Sequence, residues 1–357
     1  MGKRRKFYIL CAVLAGVGIV LAGAGIAMGG IVHGIRIDSK GIRVYAPLLD
    51  GDDEAVYVPE QERLEAFDRI EVIVEEADIR IERSDADSFS LSYRFSEHEP
   101  QVSVADGKLT VRHRNRDTEN HILNFNWFFV GSAKDGSDED EYVTIRLPRE
   151  AELSDVRLEA EYGDMVCKGL QTDNLRILAE YGDISLTDVQ AQEIETVSES
   201  GEVRMEQVSA DSCSVQQSYG NVSFYDLEVA GAFKAVAGSG DVWFRNAQVH
   251  SLDLECVAGT VEGQQMELGS VRMDIESGDC TLRQARINGG KIASAYGDVE
   301  LQMEQGQQNA YLLSTELGNV YFNGADMGNT FAGLDKNKEN LLEIRCECGD
   351  LSVRTEE

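Results

Sequence analysis

The sequence predicts an all-β protein: a parallel β-solenoid with two strands per rung of about 19 residues, an N-terminal β cap, and one transmembrane helix ahead of both. Three observations predict it. A glycine recurs in near-constant phase, the residues around it alternate between apolar and polar, and the chain opens on an uncharged apolar run.

The opening run comes first. Residues 1–6 (MGKRRK) form a basic segment, and Phe7–Val32 then runs for 26 residues without a charge. About 20 apolar residues span a bilayer as a helix, so 7–32 reads as a transmembrane helix. Its glycines and alanines suit close helix packing. Cations before the span place the N-terminus in the cytoplasm. The expected localisation is therefore the cell membrane, single-pass, with the C-terminal domain extracellular. A cleaved signal peptide is the competing reading, with Ala22-Gly23-Ala24 as the small-residue site. The apolar run continues eight residues past Ala24, which favours retention. Residues 33–63 read as a tether leaving the membrane.

The formal net charge is −31, and removing the four cations of the basic segment leaves −35 on everything after Val32. So acidic a body repels phosphate backbones, which excludes nucleic acid as a partner class. It is repelled by anionic lipid surfaces as well. The chain has seven cysteines: Cys11 in the apolar run, then Cys167, Cys213, Cys256, Cys280, Cys346 and Cys348. No CxxC pair occurs, and a zinc site wants four ligands at closer spacing. A chain this long does not need a disulfide framework. Most of these cysteines fall in apolar columns and read as small core fillers.

Residues 64–150 read as a β cap that blunts the first rung. Within it, Phe67–Ser84 forms two β segments around Glu76-Ala77-Asp78-Ile79, a degenerate version of the glycine turn described next. The stretch 102–111 (VSVADGKLTV) reads as a hairpin on Asp106-Gly107, and 142–148 (YVTIRLP) as another strand. Trp127-Phe128-Phe129 reads as cap core; contact with a membrane or partner is the alternative.

Residues 151–357 carry the repeats. Glu-Tyr-Gly-Asp occurs at Glu161–Asp164 and again at Glu180–Asp183. Aligning on its glycine gives Gly163, Gly182, Gly201, Gly220, Gly240, Gly259, Gly278, Gly297, Gly318 and Gly349. The steps are 19 residues six times, then once each 20, 21 and 31, the last reading as an insertion. Apolar residues stand two and four after each glycine, as in Val203 and Met205, or Val222 and Phe224. That period of two is a strand with one buried face. Seven after the glycine the chain is apolar again but out of parity, as at Val189 and Val208, so a turn lies between. A second strand, counted back from the next glycine, buries odd offsets. The glycine resets the parity, as a turn does, by supplying positive φ. Two strands cannot close alone, so like columns stack into a solenoid. An antiparallel meander with the same alternation is the competing fold.

No residue stands out as catalytic, no cofactor is implied, and a metal site has only weak support. The acidic columns beside the glycine are the candidate cation edge: Glu161, Asp164, Glu180, Asp183, Glu199 and Glu202. Stacked carboxylates suit calcium, yet the nine-residue calcium-roll repeat is absent, and a solvated turn edge is the simpler reading. Paired acids on a solenoid also suit a glycoside hydrolase or lyase, but here no pair is distinguished. His33, His98, His113, His121 and His250 never recur in phase, and no GxSxG, HExxH or phosphate-cradling loop is present. Tyr162, Tyr181, Tyr219 and Tyr296 sit one before the glycine. They either stack along an edge or tuck into the end of the core; an exposed tyrosine ladder would be a recognition surface.

Repeated G-D-apolar-x-apolar units behind an apolar N-terminus resemble the bacterial putative-adhesin family of β-strand-repeat domains of unknown function. The passages FDRIEVIVEEADIRIERSD and VTIRLPREAELSDVRLEAEYGDMVC are similar to its opening strands and first glycine unit, and the resemblance covers about residues 65–357. It implies a membrane-anchored surface protein; some relatives are tied to envelope-stress signalling and to sensing antimicrobial peptides. No catalytic residue carries over. The expected function is a non-enzymatic, envelope-exposed interaction module: adhesin-like binder, scaffold or stress sensor, its partner a protein or cell-envelope ligand. A carbohydrate-active solenoid enzyme or wall-glycan binder is the alternative.

Overall fold

The computed structural model describes residues 34–38, 41–45, 62–96, 99–114, 141–305, 307, 309–333 and 340–355. The expected transmembrane helix 7–32 and the aromatic run 127–129 lie outside the described residues. Among the described residues, no helix is long and apolar enough to cross a membrane. The segment read as a plain tether carries an antiparallel hairpin, Gly34–Asp38 against Gly41–Tyr45.

From Leu153 to Ile287 the strands pair in parallel with their equivalents one rung later in the chain. Ile184 faces Val203, Leu186 faces Met205, Ile194 faces Cys213 and Ser200 faces Tyr219. This is the predicted parallel stack rather than a meander. The predicted two strands per rung need correction: each rung is divided into three runs. In the Gly201 rung the buried residues are Val203 and Met205, then Val208 and Ala210, then Cys213, Val215 and Gln217. Parity therefore resets twice between glycines. The first reset falls six residues after the glycine, where φ turns positive at Asp188, Gln207, Asp226 and Asn246. Asp and Asn tolerate that left-handed geometry through their short polar side chains. The second reset falls where the ladder skips Gln192.

The glycine corner is required sterically. Gly201 has φ +134, and a Cβ built on it would fall on the carbonyl oxygen of Gly182. That carbonyl-on-glycine contact repeats along the stack, with Ala77 filling the glycine's place on the rung before Gly163. The 20-residue step from Gly220 to Gly240 is absorbed by a bulge between Val229 and Ala232.

Inside, columns pack on themselves. Phe224 stacks on Phe244 with centroids 4.8 Å apart, while Phe233 meets Phe224 edge-on at 5.0 Å. Gly263 occupies a column of large residues, and the Met266 side chain lies where its Cβ would point. Cys167, Cys213, Cys256, Cys280 and Cys346 are buried, in the columns expected of core fillers, and Cys348 is half-buried.

Both ends of the stack depart from chain order. At the N-terminal end, strands Arg69–Glu76 and Asp78–Arg83 lie between two later segments. Leu153–Tyr162 and Met165–Lys168 pair on one side of them. Lys108–His113 and Tyr142–Leu147 pair on the other. Part of the cap region thus joins the stack. Antiparallel strands Gln101–Ala105 and Ser90–Arg94 cover its outer edge, the first through the predicted turn at Asp106-Gly107. At the C-terminal end the 31-residue step holds the predicted insertion, which includes strand Thr330–Gly333, and a reordering as well. Strands Leu341–Cys348 and Leu351–Thr355 slot between the Gly297 and Gly318 rungs. The Gly318 rung becomes the outer one, capped by antiparallel Thr330–Gly333.

Candidate binding surfaces

The acidic residues that follow the glycines have a structural task. Asp183 N–H donates to Asp164 Oδ1 at 2.9 Å, and Glu202 N–H donates to Asp183 Oδ1 at 2.7 Å. The same bond links Asp241 to Thr260, Asp279 to Asp298, Asp298 to Asp350, and Asp350 to Asn319. Asp164, Asp183, Asp241, Asp279, Asp298 and Asp350 each therefore reach across to the next rung's backbone, where a local Asx turn was expected; Glu202 takes part only through its N–H. Charge-assisted bonds of this kind hold register as well as adding stability.

The other acidic column behaves differently. Glu161 lies 3.5 Å from Arg114, while Glu180 and Glu199 are exposed. Among the described residues, no group of three or more His, Cys, Asp or Glu side chains is placed to share a metal ion. His113 stacks on Phe95 at 4.1 Å, and His250 is exposed on a distant rung.

Of the two readings of the tyrosines, the structure selects the edge. Tyr162, Tyr181, Tyr219 and Tyr296 are 49, 47, 66 and 62% exposed, and Leu317 in the same column is 71% exposed. Tyr162 and Tyr181 stack with centroids 5.1 Å apart and planes within 7°. The buried positions stop at the residue three before the glycine, so the column one before it lies outside the core.

A cleft of about 1100 Å³ opens on the third run's outer face near the C-terminal end, where Val257, Ala293, Leu312 and Phe331 supply apolar lining. Glu316 and Glu347, on neighbouring rungs, stand at its edge, with Lys291 and Arg345 across the face. This cleft was not foreseen, because it depends on the reordered last rungs. The 31-residue step was its one trace in the sequence.

The buried thiols are chemically quiet. Burial pushes Cys167, Cys213 and Cys280 up to about 12, and Cys256 to about 11. Near the N-terminal end, burial tends to raise Glu71, but hydrogen bonds and charge from Arg112 and Lys108 outweigh it and hold the carboxyl below its ordinary value.

A continuous apolar ladder inside and regular columns outside define a repeat-built β scaffold that presents surfaces. The chain belongs to the Toastrack family, DUF4097, whose profile matches residues 67–232 and 209–326. No curated protein matches the chain. Among solved structures, it is similar to a putative lipid binding protein from Parabacteroides distasonis, at 13% identity and TM-score 0.38, over 86% of this chain and 98% of that one. It is also similar to a putative adhesin from the same species, at 12% identity and TM-score 0.37, over 84% and 98%. A putative adhesin from Bacteroides fragilis aligns at 13% identity and TM-score 0.29, over 85% and 97%. Alignments this distant assign no ligand.

Proposed function

We propose that this chain is a non-enzymatic binding module of the cell envelope, anchored by residues 7–32 with its N-terminus in the cytoplasm and the β stack outside. The basic hexapeptide ahead of an uncharged span supports the topology. The exposed tyrosine edge carries the binding reading. Tyrosine rings left about half exposed along one rigid corner present large, preorganised contact area. Aromatic residues in such positions are the commonest anchors of protein contacts.

Replacing Tyr162, Tyr181, Tyr219 and Tyr296 together by serine tests this. The expected result is an unchanged melting temperature and loss of the partner captured from the protein's own cells. A large fall in melting temperature would make the tyrosines structural and remove the reading. Protease added to intact protoplasts tests the topology: it should digest the stack. Survival there, with digestion only after lysis, would overturn it.

The cleft supplies an enzyme reading, since Glu316 and Glu347 stand on adjacent rungs at its edge. Carboxylates about 5 Å apart suit a retaining glycosidase. Such an enzyme needs one carboxyl withdrawn from water to serve as acid, and both of these are exposed. The binding module is the better reading.

A further inference from the structure

The outer face of the first run differs from the rest of this acidic chain. The column five residues after the glycine reads, in stacking order, Arg245, Gln264, Arg283, Gln302, Arg354. Successive members are paired rung to rung, Arg245 with Gln264, Gln264 with Arg283, Arg283 with Gln302, and Gln302 with Arg354. The last step exists only because the C-terminal strands slot in after the Gly297 rung; in chain order Asn323 would follow Gln302. Arginines therefore recur every second rung, about 9.6 Å apart at the usual strand spacing.

All three arginines are exposed. Among the described residues none of them makes an ion pair, although the chain holds 64 acidic residues against 33 basic ones. Elsewhere arginines are engaged: Arg176 with Glu195 at 3.3 Å, Arg272 with Asp274 at 2.9 Å, Arg286 with Glu304 at 2.7 Å. The neighbouring column is amide-rich, with Asn246, Gln265 and Gln284 all exposed. Glu262 and Glu300, two residues back from the arginine column, stand on the intervening rungs. Toward the N-terminal end the face continues into aromatics, with Trp243 half-buried and Arg204 lying 4.4 Å over the Tyr225 ring.

We propose that this strip binds an extended acidic polysaccharide carrying one carboxylate on every second sugar. This rests on the binding-module reading and names the chemistry of the partner. The charge repeat is the first argument. A β-linked pyranose advances by about the height of one rung, so a carboxylate on alternate sugars meets an arginine on alternate rungs. Guanidinium groups pair with carboxylates through two parallel N–H donors. The chemistry between the arginines is the second. Amides and carboxylates both accept from sugar hydroxyls, and amides also donate. Trp243 offers a flat apolar surface to a ring face. The acidic remainder of the stack does not forbid this, because charges beyond about 8 Å are largely screened at physiological salt.

The test uses the full-length chain in detergent. The probe is an oligomer of alternating glucuronate and N-acetylglucosamine, followed by calorimetry. A neutral N-acetylglucosamine oligomer and a polygalacturonate charged on every sugar serve as comparisons. The alternating oligomer should bind, more weakly as salt rises, and better than either comparison. Arg283→Gln should weaken binding about fivefold and the triple variant R245Q/R283Q/R354Q about a hundredfold, at about 1 kcal/mol per exposed pair. The R176Q/R272Q variant on the third run should bind as the parent does. Equal binding by the triple variant, equal binding of polygalacturonate, or no binding of the alternating oligomer would each overturn the proposal. Those failures leave the protoplast and tyrosine results untouched, so the two readings fail separately.

Discussion

Removing residues 341–357 discriminates between chain order and stacking order. If the last strands formed the end rung, their loss would shorten the stack by one layer. In the structure they lie inside it. Gly297 N–H and Val299 N–H donate to Cys348 and Asp350, while Gly349 N–H and Leu351 N–H donate to Leu317 and Asn319. Leu342, Ile344, Leu351 and Val353 are fully buried. At about 1.5–3 kcal/mol for each such side chain, about 6–12 kcal/mol of burial is lost, an upper figure because unfolded chains keep some of it. That is comparable with the whole stability of an ordinary domain. Repeat arrays couple mainly to nearest neighbours, so the damage stays local. The outer rung, Ala310–Phe322, and its antiparallel cover then have nothing to sit on. Limited proteolysis with peptide mapping reads this directly. Cuts should concentrate in Ala310–Gly333 of the truncated chain, with Leu153–Ser277 protected as before. If Ala310–Gly333 resists protease as well as it does in the full chain, the slotted arrangement is wrong.

Three further outcomes follow from the same geometry. Gly201→Ala should cost about 3–5 kcal/mol, combining disallowed φ with overlap on the Gly182 carbonyl, whereas Gly324→Ala, with φ +78 and nothing within 4 Å, should cost about 1 kcal/mol; equal melting temperatures would contradict the corner. A disulfide reagent should label half-buried Cys348 first and reach Cys167, Cys213 and Cys280 only on unfolding, since burial pushes those thiols to about 12; early labelling of Cys280, mapped by mass spectrometry, would count against the core. The carboxyl of Glu71 is held below its ordinary value in the folded state, so it stabilises above the unfolded carboxylate range near pH ~4.3 and that contribution fades as pH falls through the folded value. The stability gap between the parent chain and Glu71→Gln should accordingly be constant near neutrality and shrink in acid, and a gap that persists to pH ~2 would refute the assignment.

Much of the stack was legible in the sequence because its cause is local and repeated. A glycine with positive φ every 19 residues or so, flanked by residues of period two, leaves one way to bury the apolar columns. Val203, Val222 and Val242 were readable as inward for that reason, and the ladder confirms them. The three runs per rung were less legible. The first corner, at Asp188, Gln207 and Asn246, shows in the sequence as the loss of parity before the apolar column seven after the glycine, whereas the second, where the ladder skips Gln192, is seen only in the strand pairing. The second task of Asp164, Asp183 and Asp298 was hidden too, because an acceptor for the next rung's amide and an acceptor for a local turn have the same side chain.

What the sequence determined by itself was the unit: its length, its buried columns, its glycine corner and the parity on either side. Those follow from sterics and periodicity within about twenty residues of chain. What only the tertiary structure decided was the order of the units at the two ends. Any rung's columns fit any neighbour's, so the pattern does not say whether the Gly349 rung follows Gly297 or Gly318. Strand pairing across the stack settles it, with the antiparallel covers taking the outer edges. The arginine column inherits that choice: Arg354 falls in step with Arg283 and Arg245 only because the last strands of the chain pack inside the stack.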